Sequence, residues 1–225
     1  MKHSGKARKA AFRLILIALV PVVVAWGIGF AVPVVAHAIA PAITGLWVLF
    51  TVFTLYFFRD PEARVPADAN LVLAPGHGTV DVIDTVSEPV FVGGDCQRVS
   101  IFLSVFNVHV QNAPVGGKIT YLKYTPGQFL NALKTDSAVH NENVLVGFTT
   151  SAPAGTKVGV RFIAGLIARR IVPFVQAGDE VGRGERIGLI QFGSRLDVYL
   201  PRTARIQVKL GDKVVGGETV LAAFA

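Results

Sequence analysis

Six residues stand out as types from which a reaction could be assembled. Ser194 sits in Gln191-Phe192-Gly193-Ser194-Arg195, where a hydroxyl directly follows Gly193. Taken alone, a Gly-Ser pair between apolar runs reads as a bulge or tight turn. His109 lies in the run Phe106-Asn107-Val108-His109-Val110. Histidine titrates near neutrality and is the commonest general acid–base residue. A strand histidine facing solvent or a backbone carbonyl would have the same local sequence. His77, in Ala74-Pro75-Gly76-His77-Gly78, is a second titratable candidate, and pairing with a histidine is a workable way to activate a serine. Arg169 and Arg170 are adjacent, and guanidinium groups fit phosphate bidentately. Two exposed surface arginines would read the same way. A single cysteine excludes a disulfide framework and any cysteine-rich zinc or iron–sulfur site.

The elements that must position these residues are short and mostly β. Residues 71–225 read as apolar strands separated by Gly, Pro, Asn and Asp. The strands are expected at 79–84, 98–105, 117–124, 144–150, 157–163, 186–192, 196–200 and 204–209. Pro126 to Leu133 is a candidate helix with an early proline, and Ile163 to Ile171 fits a short helix or a strand equally well. Near the C-terminus Val175-Gln-Ala-Gly178-Asp179-Glu-Val181 recurs thirty-three residues later as Val208-Lys-Leu-Gly211-Asp212-Lys-Val214, each copy followed by a further Gly (Gly184 and Gly217). Gly-Asp supplies a turn and the valine re-enters a core. This resembles the hammerhead turns of biotinyl and lipoyl carrier domains. No lysine occupies the carrier context at a hairpin tip, so the repeat speaks to architecture.

Charge and hydropathy divide the chain. Net charge is +7, but Lys2, Lys6, Arg8, Lys9 and Arg13 carry five of those charges, leaving 17 basic against 15 acidic residues. The charge belongs to a tail, which argues against a nucleic-acid partner. Charged residues make up 16% of the chain, below the usual ~25% of soluble domains. From Leu14 to Phe58 there is no Asp, Glu, Lys or Arg. As continuous helix those residues would extend about 68 Å against a hydrocarbon core of about 30 Å. Two passes are therefore expected, near 14–32 and 42–58, with a turn between Pro33 and Pro41 and Trp26 and Trp47 as interface markers. Basic residues before the first helix, and Arg59 and Arg64 after the second, place both ends on the cytoplasmic side. The competing reading is a cleaved signal peptide ending at Ala36-His37-Ala38 or Ala38-Ile39-Ala40. The organisation expected is a basic tail and hairpin over 1–58, a polar linker over 59–70 and a β domain over 71–225.

Four separated segments, in order, then carry a resemblance. They are Phe102 to Gly117, Gly127 to Ala132 with Asn141-Glu142-Asn143, Ile163 to Ile171, and Gly193-Ser194. With Phe57-Phe58-Arg59-Asp60-Pro61, the chain resembles phosphatidylserine decarboxylase proenzymes of the short bacterial and archaeal-like form. The resemblance implies self-cleavage between Gly193 and Ser194 into a β chain, 1–193, and an α chain, 194–225, which stay associated. Ser194 would become a pyruvoyl group, the only cofactor implied, with no metal. Its chemical logic is plain. The hydroxyl first attacks the Gly193 carbonyl and later leaves as an ester. The resulting carbonyl forms a Schiff base with the substrate amine and takes up electrons as carbon dioxide departs. His109 would return a proton to the α-carbon, and Arg169 and Arg170 would bind the lipid phosphate.

The chain departs from that family in two places. His77 stands where an aspartate implicated in self-processing is expected, and Asp81 or Asp84 are alternative sources of the missing charge. Asn112 stands where the short form usually has Arg. His140 and Glu142 lie in a family-like stretch without an assignable role. The implied activity is membrane-bound decarboxylation of phosphatidylserine to phosphatidylethanolamine, with a homo-oligomer open. The alternatives are an enzyme acting on an ether-lipid serine headgroup and an unprocessed membrane-anchored adaptor or lipid-binding β domain.

Overall fold

The computed structural model describes residues 3–130, 140–166 and 170–224. The chain forms two compact units, one of Ser4–Asp60 and one whose body is Pro61–Ala225. In the first, helix α1 spans Lys6–Gly29 and helix α2 spans Ala40–Phe57, with a π-helical turn over Val35–Ile39 leading into α2. Both helical segments are long and apolar enough to cross a membrane. Their large apolar side chains are largely exposed, among them Leu16, Ile17, Val20, Leu46, Leu49 and Val52. The helices are tied to each other by both tryptophans. Trp26 Nε1 donates to Thr44 Oγ1 at 3.1 Å, and Trp47 Nε1 donates to the Ile15 carbonyl at 3.2 Å.

The turn is not where the prolines suggested. Chain reversal occurs at Phe30–Val32, and Pro33 already begins the second helical segment. Proline suits that position because the first turn of a helix has no use for its missing N–H. Pro41, further in, would press its ring on the carbonyl of His37 in a regular α-helix. The wider π turn just before it relieves that crowding. Gly29 makes the tight reversal possible, since a Cβ there would lie 3.1 Å from Ala36 Cα.

The second unit is mainly β, as the alternating runs implied. Its largest sheet is antiparallel and has eight strands. Their order is β13 (Lys213–Val214), β2 (Gly78–Glu88), β3 (Gly94–Leu103), β11 (Ser194–Leu200), β7 (Ala154–Ala164), β6 (Asn143–Ser151), β5 (Gly117–Thr125) and β9 (Glu180–Val181). Among the described residues, two three-stranded sheets complete it. One orders β4 (Val110–Asn112), β10 (Arg186–Gln191) and β8 (Arg170–Pro173). The other orders β1 (Leu71–Leu73), β14 (Val220–Ala223) and β12 (Arg205–Ile206). Strand β11 is buried along its whole length, with Leu196, Val198 and Leu200 on the face that joins the main core.

The repeat builds two equivalent turns. Asp179 Oδ2 accepts the Gln176 N–H at 2.9 Å, and Asp212 Oδ2 accepts the Lys209 N–H at 3.0 Å. Gly178 and Gly211 both adopt positive φ, where glycine carries no Cβ penalty. Their N–H groups donate to Ile119 in β5 and Val80 in β2, so each copy closes over the edge of one strand. Val181 and Val214 follow into β9 and β13.

Two further expectations change. Residues 126–130 are not helical: Gln128 bridges to Asn141, and a Cβ on Gly127 would lie 2.5 Å from the Glu142 nitrogen. The glycine serves close backbone approach rather than a helix start; 131–133 lie outside the described residues. Strand pairing in the 204–209 run is confined to Arg205–Ile206, although Ile206 and Val208 still face the core.

Candidate active site

Ser194 opens β11, paired with Leu103 of β3 on one side and Ala164 of β7 on the other. It is 0% exposed, and its Oγ has no hydrogen-bond partner among the described residues. Most buried hydroxyls have one, so this group is held in place without serving the fold. The backbone immediately before it is strained. Phe192 has φ 73° and Gly193 φ 74°. Glycine tolerates this region, whereas phenylalanine there costs about 1–2 kcal/mol.

The ladder between β7 and β11 changes partners at this point. Gly165 N–H donates to the Gly193 carbonyl at 3.2 Å, as the register requires. The Gly193 N–H is instead turned to His109 Nε2 at 3.1 Å. His109, at the entrance to β4 and 0% exposed, has Nδ1 3.0 Å from the Asn107 carbonyl. With Nε2 accepting, the proton is assigned to Nδ1 and the ring is the neutral tautomer. Its mount is well braced: Asn107 Oδ1 accepts from both the N–H and the hydroxyl of Ser104 at 2.9 Å, and Gln111 Nε2 donates to the His109 carbonyl at 2.6 Å.

On the opposite face of β11, a charge cluster, buried at Arg195 and Asp197 and open to solvent at Asp81, holds the residue after Ser194. Arg195 Nη2 and Nη1 each lie 2.9 Å from a carboxylate oxygen of Asp81, and its Nε lies 3.4 Å from Asp197 Oδ1. Asp197 also accepts from Ser100 Oγ at 2.6 Å. Asp81 reaches this position because it is the extra residue of a β-bulge between Val80 and Val82. Burial pushes the Asp81 carboxyl above its ordinary range, and the Arg195 charge offsets only part of that. Asp84 is committed elsewhere, to Arg98, at 2.6 and 2.9 Å. Both acids thus hold arginines, and neither bonds the Ser194 hydroxyl.

His77 precedes β2 and is half-buried. Thr79, Phe102 and Arg195 form one row across β2, β3 and β11. Continuing that row sets Gly78 level with Ser194, two strand spacings or about 10 Å away, with His77 one residue beyond. His77 makes no hydrogen bond to Ser194 Oγ in the uncleaved chain. Gly78 is required where it stands, since a Cβ would lie 2.3 Å from the Phe102 carbonyl oxygen.

The family model for phosphatidylserine decarboxylase matches residues 50–222. The chain belongs to that family. It is an enzyme, a carboxy-lyase made as a zymogen. Among curated relatives, the phosphatidylserine decarboxylase proenzyme of Desulfotalea psychrophila is 45% identical over 179 residues, covering 80% of this chain and 83% of the relative. That of Geobacter sp. is 47% identical over 176 residues, covering 78% and 79%. That of Symbiobacterium thermophilum is 43% identical over 198 residues, covering 84% and 91%.

For a phosphatidylserine decarboxylase family member, the remaining candidates fall as follows. Arg170 is exposed in β8 and pairs with Gln191, three residues before Ser194. Arg169 lies outside the described residues. Asn112 is structural: its Nδ2 donates to the Gly184 carbonyl at 2.9 Å, bracing the first repeat turn. Glu142 accepts from Tyr124 Oη at 3.0 Å, and the His140 carbonyl accepts the Gln128 N–H at 2.8 Å. Asn141 proves the more consequential member of that stretch, donating to the Ala164 carbonyl at 2.7 Å and to that of Leu130 at 2.9 Å. Sequence reasoning passed over Gly165, Asn141 and the Arg195–Asp81–Asp197 cluster, whose roles depend on strand register.

Proposed function

We propose that the chain decarboxylates phosphatidylserine to phosphatidylethanolamine and carbon dioxide at a membrane, using a pyruvoyl group made from Ser194 by self-cleavage after Gly193. The observation that supports this most directly is the buried, unpartnered Ser194 Oγ beside a strained peptide link. Residues of this kind fit the group, because a hydroxyl that serves no fold contact is free to react.

In the maturation step Ser194 Oγ attacks the Gly193 carbonyl carbon, and the C–N bond gives way to an ester while the proton passes from oxygen to nitrogen. His77 is the proposed base. β-Elimination then expels Gly193 as the C-terminal carboxylate of the β chain 1–193, and hydrolysis of the dehydroalanine left at 194 releases ammonia and gives the α chain 194–225 its pyruvoyl end. Their association is supported by the pairing of β11 with β3 and β7, which does not pass through the cut bond. When formed, the pyruvoyl group supplies an electron sink for loss of carbon dioxide. His109 Nε2 faces the Gly193 amide and, once protonated there, supplies a proton beside residue 194. Arg170, with Arg169, binds the lipid phosphate through its guanidinium.

Membrane attachment through α1 and α2 is supported by the exposed apolar side chains on both, which water does not tolerate at that density. The basic residues of positions 1–13, with Arg59 and Arg64 after the second helix, support a cytoplasmic catalytic unit. The test is carbon dioxide release from vesicles containing phosphatidylserine. Wild-type protein should release it and Ser194→Ala should not; release by Ser194→Ala would overturn the assignment.

A further inference from the structure

Resting on the self-cleavage proposed above, we infer that the backbone N–H of Gly165 is the oxyanion donor of that reaction. It is the group that stabilises charge on the Gly193 oxygen when Ser194 attacks. The geometry points to it directly. The scissile carbonyl belongs to Gly193, and among the described residues its oxygen accepts one backbone hydrogen bond, from Gly165 N–H at 3.2 Å. That donor is fixed before the reaction begins, because Ala164 is locked on both sides. It pairs with Ser194, its N–H donates to the Glu142 carbonyl at 2.9 Å, and its carbonyl accepts Asn141 Nδ2 at 2.7 Å. Asn141 is itself 1% exposed, so this brace sits away from water.

The broken symmetry of the rung sets the electrophile apart from an ordinary ladder residue. In a regular antiparallel pair Gly193 would donate back to Gly165. Here positive φ at Phe192 and Gly193 swings the Gly193 N–H to His109 while the oxygen keeps its donor. The carbonyl is thus polarised from one side. As Oγ bonds to the carbonyl carbon, an electron pair moves onto the oxygen. That pair returns when the C–N bond breaks, and the hydroxyl proton ends on the Ser194 nitrogen. A donor already aimed at the oxygen gains strength as charge develops there and needs no reorganisation. Asn141 is on this account a positioning residue.

The experiment replaces the Gly165 N–H by an ester oxygen, introducing glycolic acid at that position during cell-free synthesis of the full chain into lipid nanodiscs. Synthesis defines time zero, and splitting after 193 is followed by mass. Hydroxylamine, which cuts esters but not amides, reports the acyl shift as a cut after 193, told apart by fragment mass from its cut at the introduced ester after 164. The substituted chain should split about 10²–10³-fold more slowly, the usual effect of losing one such donor. The same exchange at Ile163, which pairs with Arg195 and removes the next rung of the ladder without touching the Gly193 carbonyl, should split at close to the wild-type rate. Wild-type splitting in the chain with the ester at 165 overturns the inference, and so does equal slowing with the ester at 163. Both results leave self-cleavage standing so long as Ser194→Ala stays whole; splitting of Ser194→Ala defeats the underlying reading instead.

Discussion

His109 does two separable things in this account, and two substitutions divide them. It accepts the Gly193 N–H through Nε2, and it is the proposed proton source. His109→Ala removes both. The Gly193 N–H is then left without its acceptor, at about 1–3 kcal/mol, and a buried ring is lost as well. A total near 2–4 kcal/mol should lower the unfolding midpoint by roughly 5–15 °C for a domain of this size. Splitting should slow too, because the strained Gly193 peptide is no longer held. His109→Gln keeps an acceptor oxygen within reach but cannot titrate. It should mature to the same two chains within about tenfold of the wild-type rate, while turnover falls by about 10²–10⁴. The assay pairs a time course of splitting with carbon dioxide release per mole of mature enzyme. Unchanged turnover in fully matured His109→Gln would remove His109 from proton transfer. A wild-type melting midpoint in His109→Ala would show that the bond to Gly193 bears no weight.

Three further outcomes are expected. If His77 is the base, splitting slows as pH falls through about 6.5, His77→Asn blocks it, and His77→Asp restores it at lower pH; wild-type splitting in His77→Asn would end that assignment. Asp81 has its pKa raised by burial, so the folded chain takes up its proton more readily than the unfolded one. The penalty on its charged form is therefore lost as pH falls through the raised value toward 3.8. The melting difference between wild type and Asp81→Asn should move in favour of the wild type as pH falls from about 6 to 4, and the reverse slope would contradict this. Deleting residues 1–58 should release the protein from membranes and spare activity on short-chain soluble substrate better than on bilayers, a result contradicted by an unaltered membrane fraction.

What could be read in the sequence was what local chemistry decides. The Gly178-Asp179 and Gly211-Asp212 turns form as expected because a glycine at positive φ and an aspartate capping the same turn need only a few neighbouring residues. The β runs were legible for the same reason. Prolines misled at three positions. Pro33 reads as a breaker yet opens a helix, and Pro41 is absorbed by a π turn that no spacing announces. Pro126-Gly127 looked like a helix start, whereas Gly127 makes room for residues 140–142. At the site, Ser194 and His109 were visible as residue types, but their relation was not. The bulge that aims Asp81 at Arg195 and the half-rung that aims Gly165 at Gly193 are consequences of register between strands about 30 to 115 residues apart.

The central claim is that Ser194 is converted by the chain itself, and intact mass of the purified full-length protein addresses it most directly. The wild type should resolve into two chains, 1–193 and 194–225, with the smaller beginning in a ketone-bearing blocked residue. Ser194→Ala should give one chain of 24.0 kDa. A single full-length wild-type chain, or a cut after 193 in Ser194→Ala, would contradict the account.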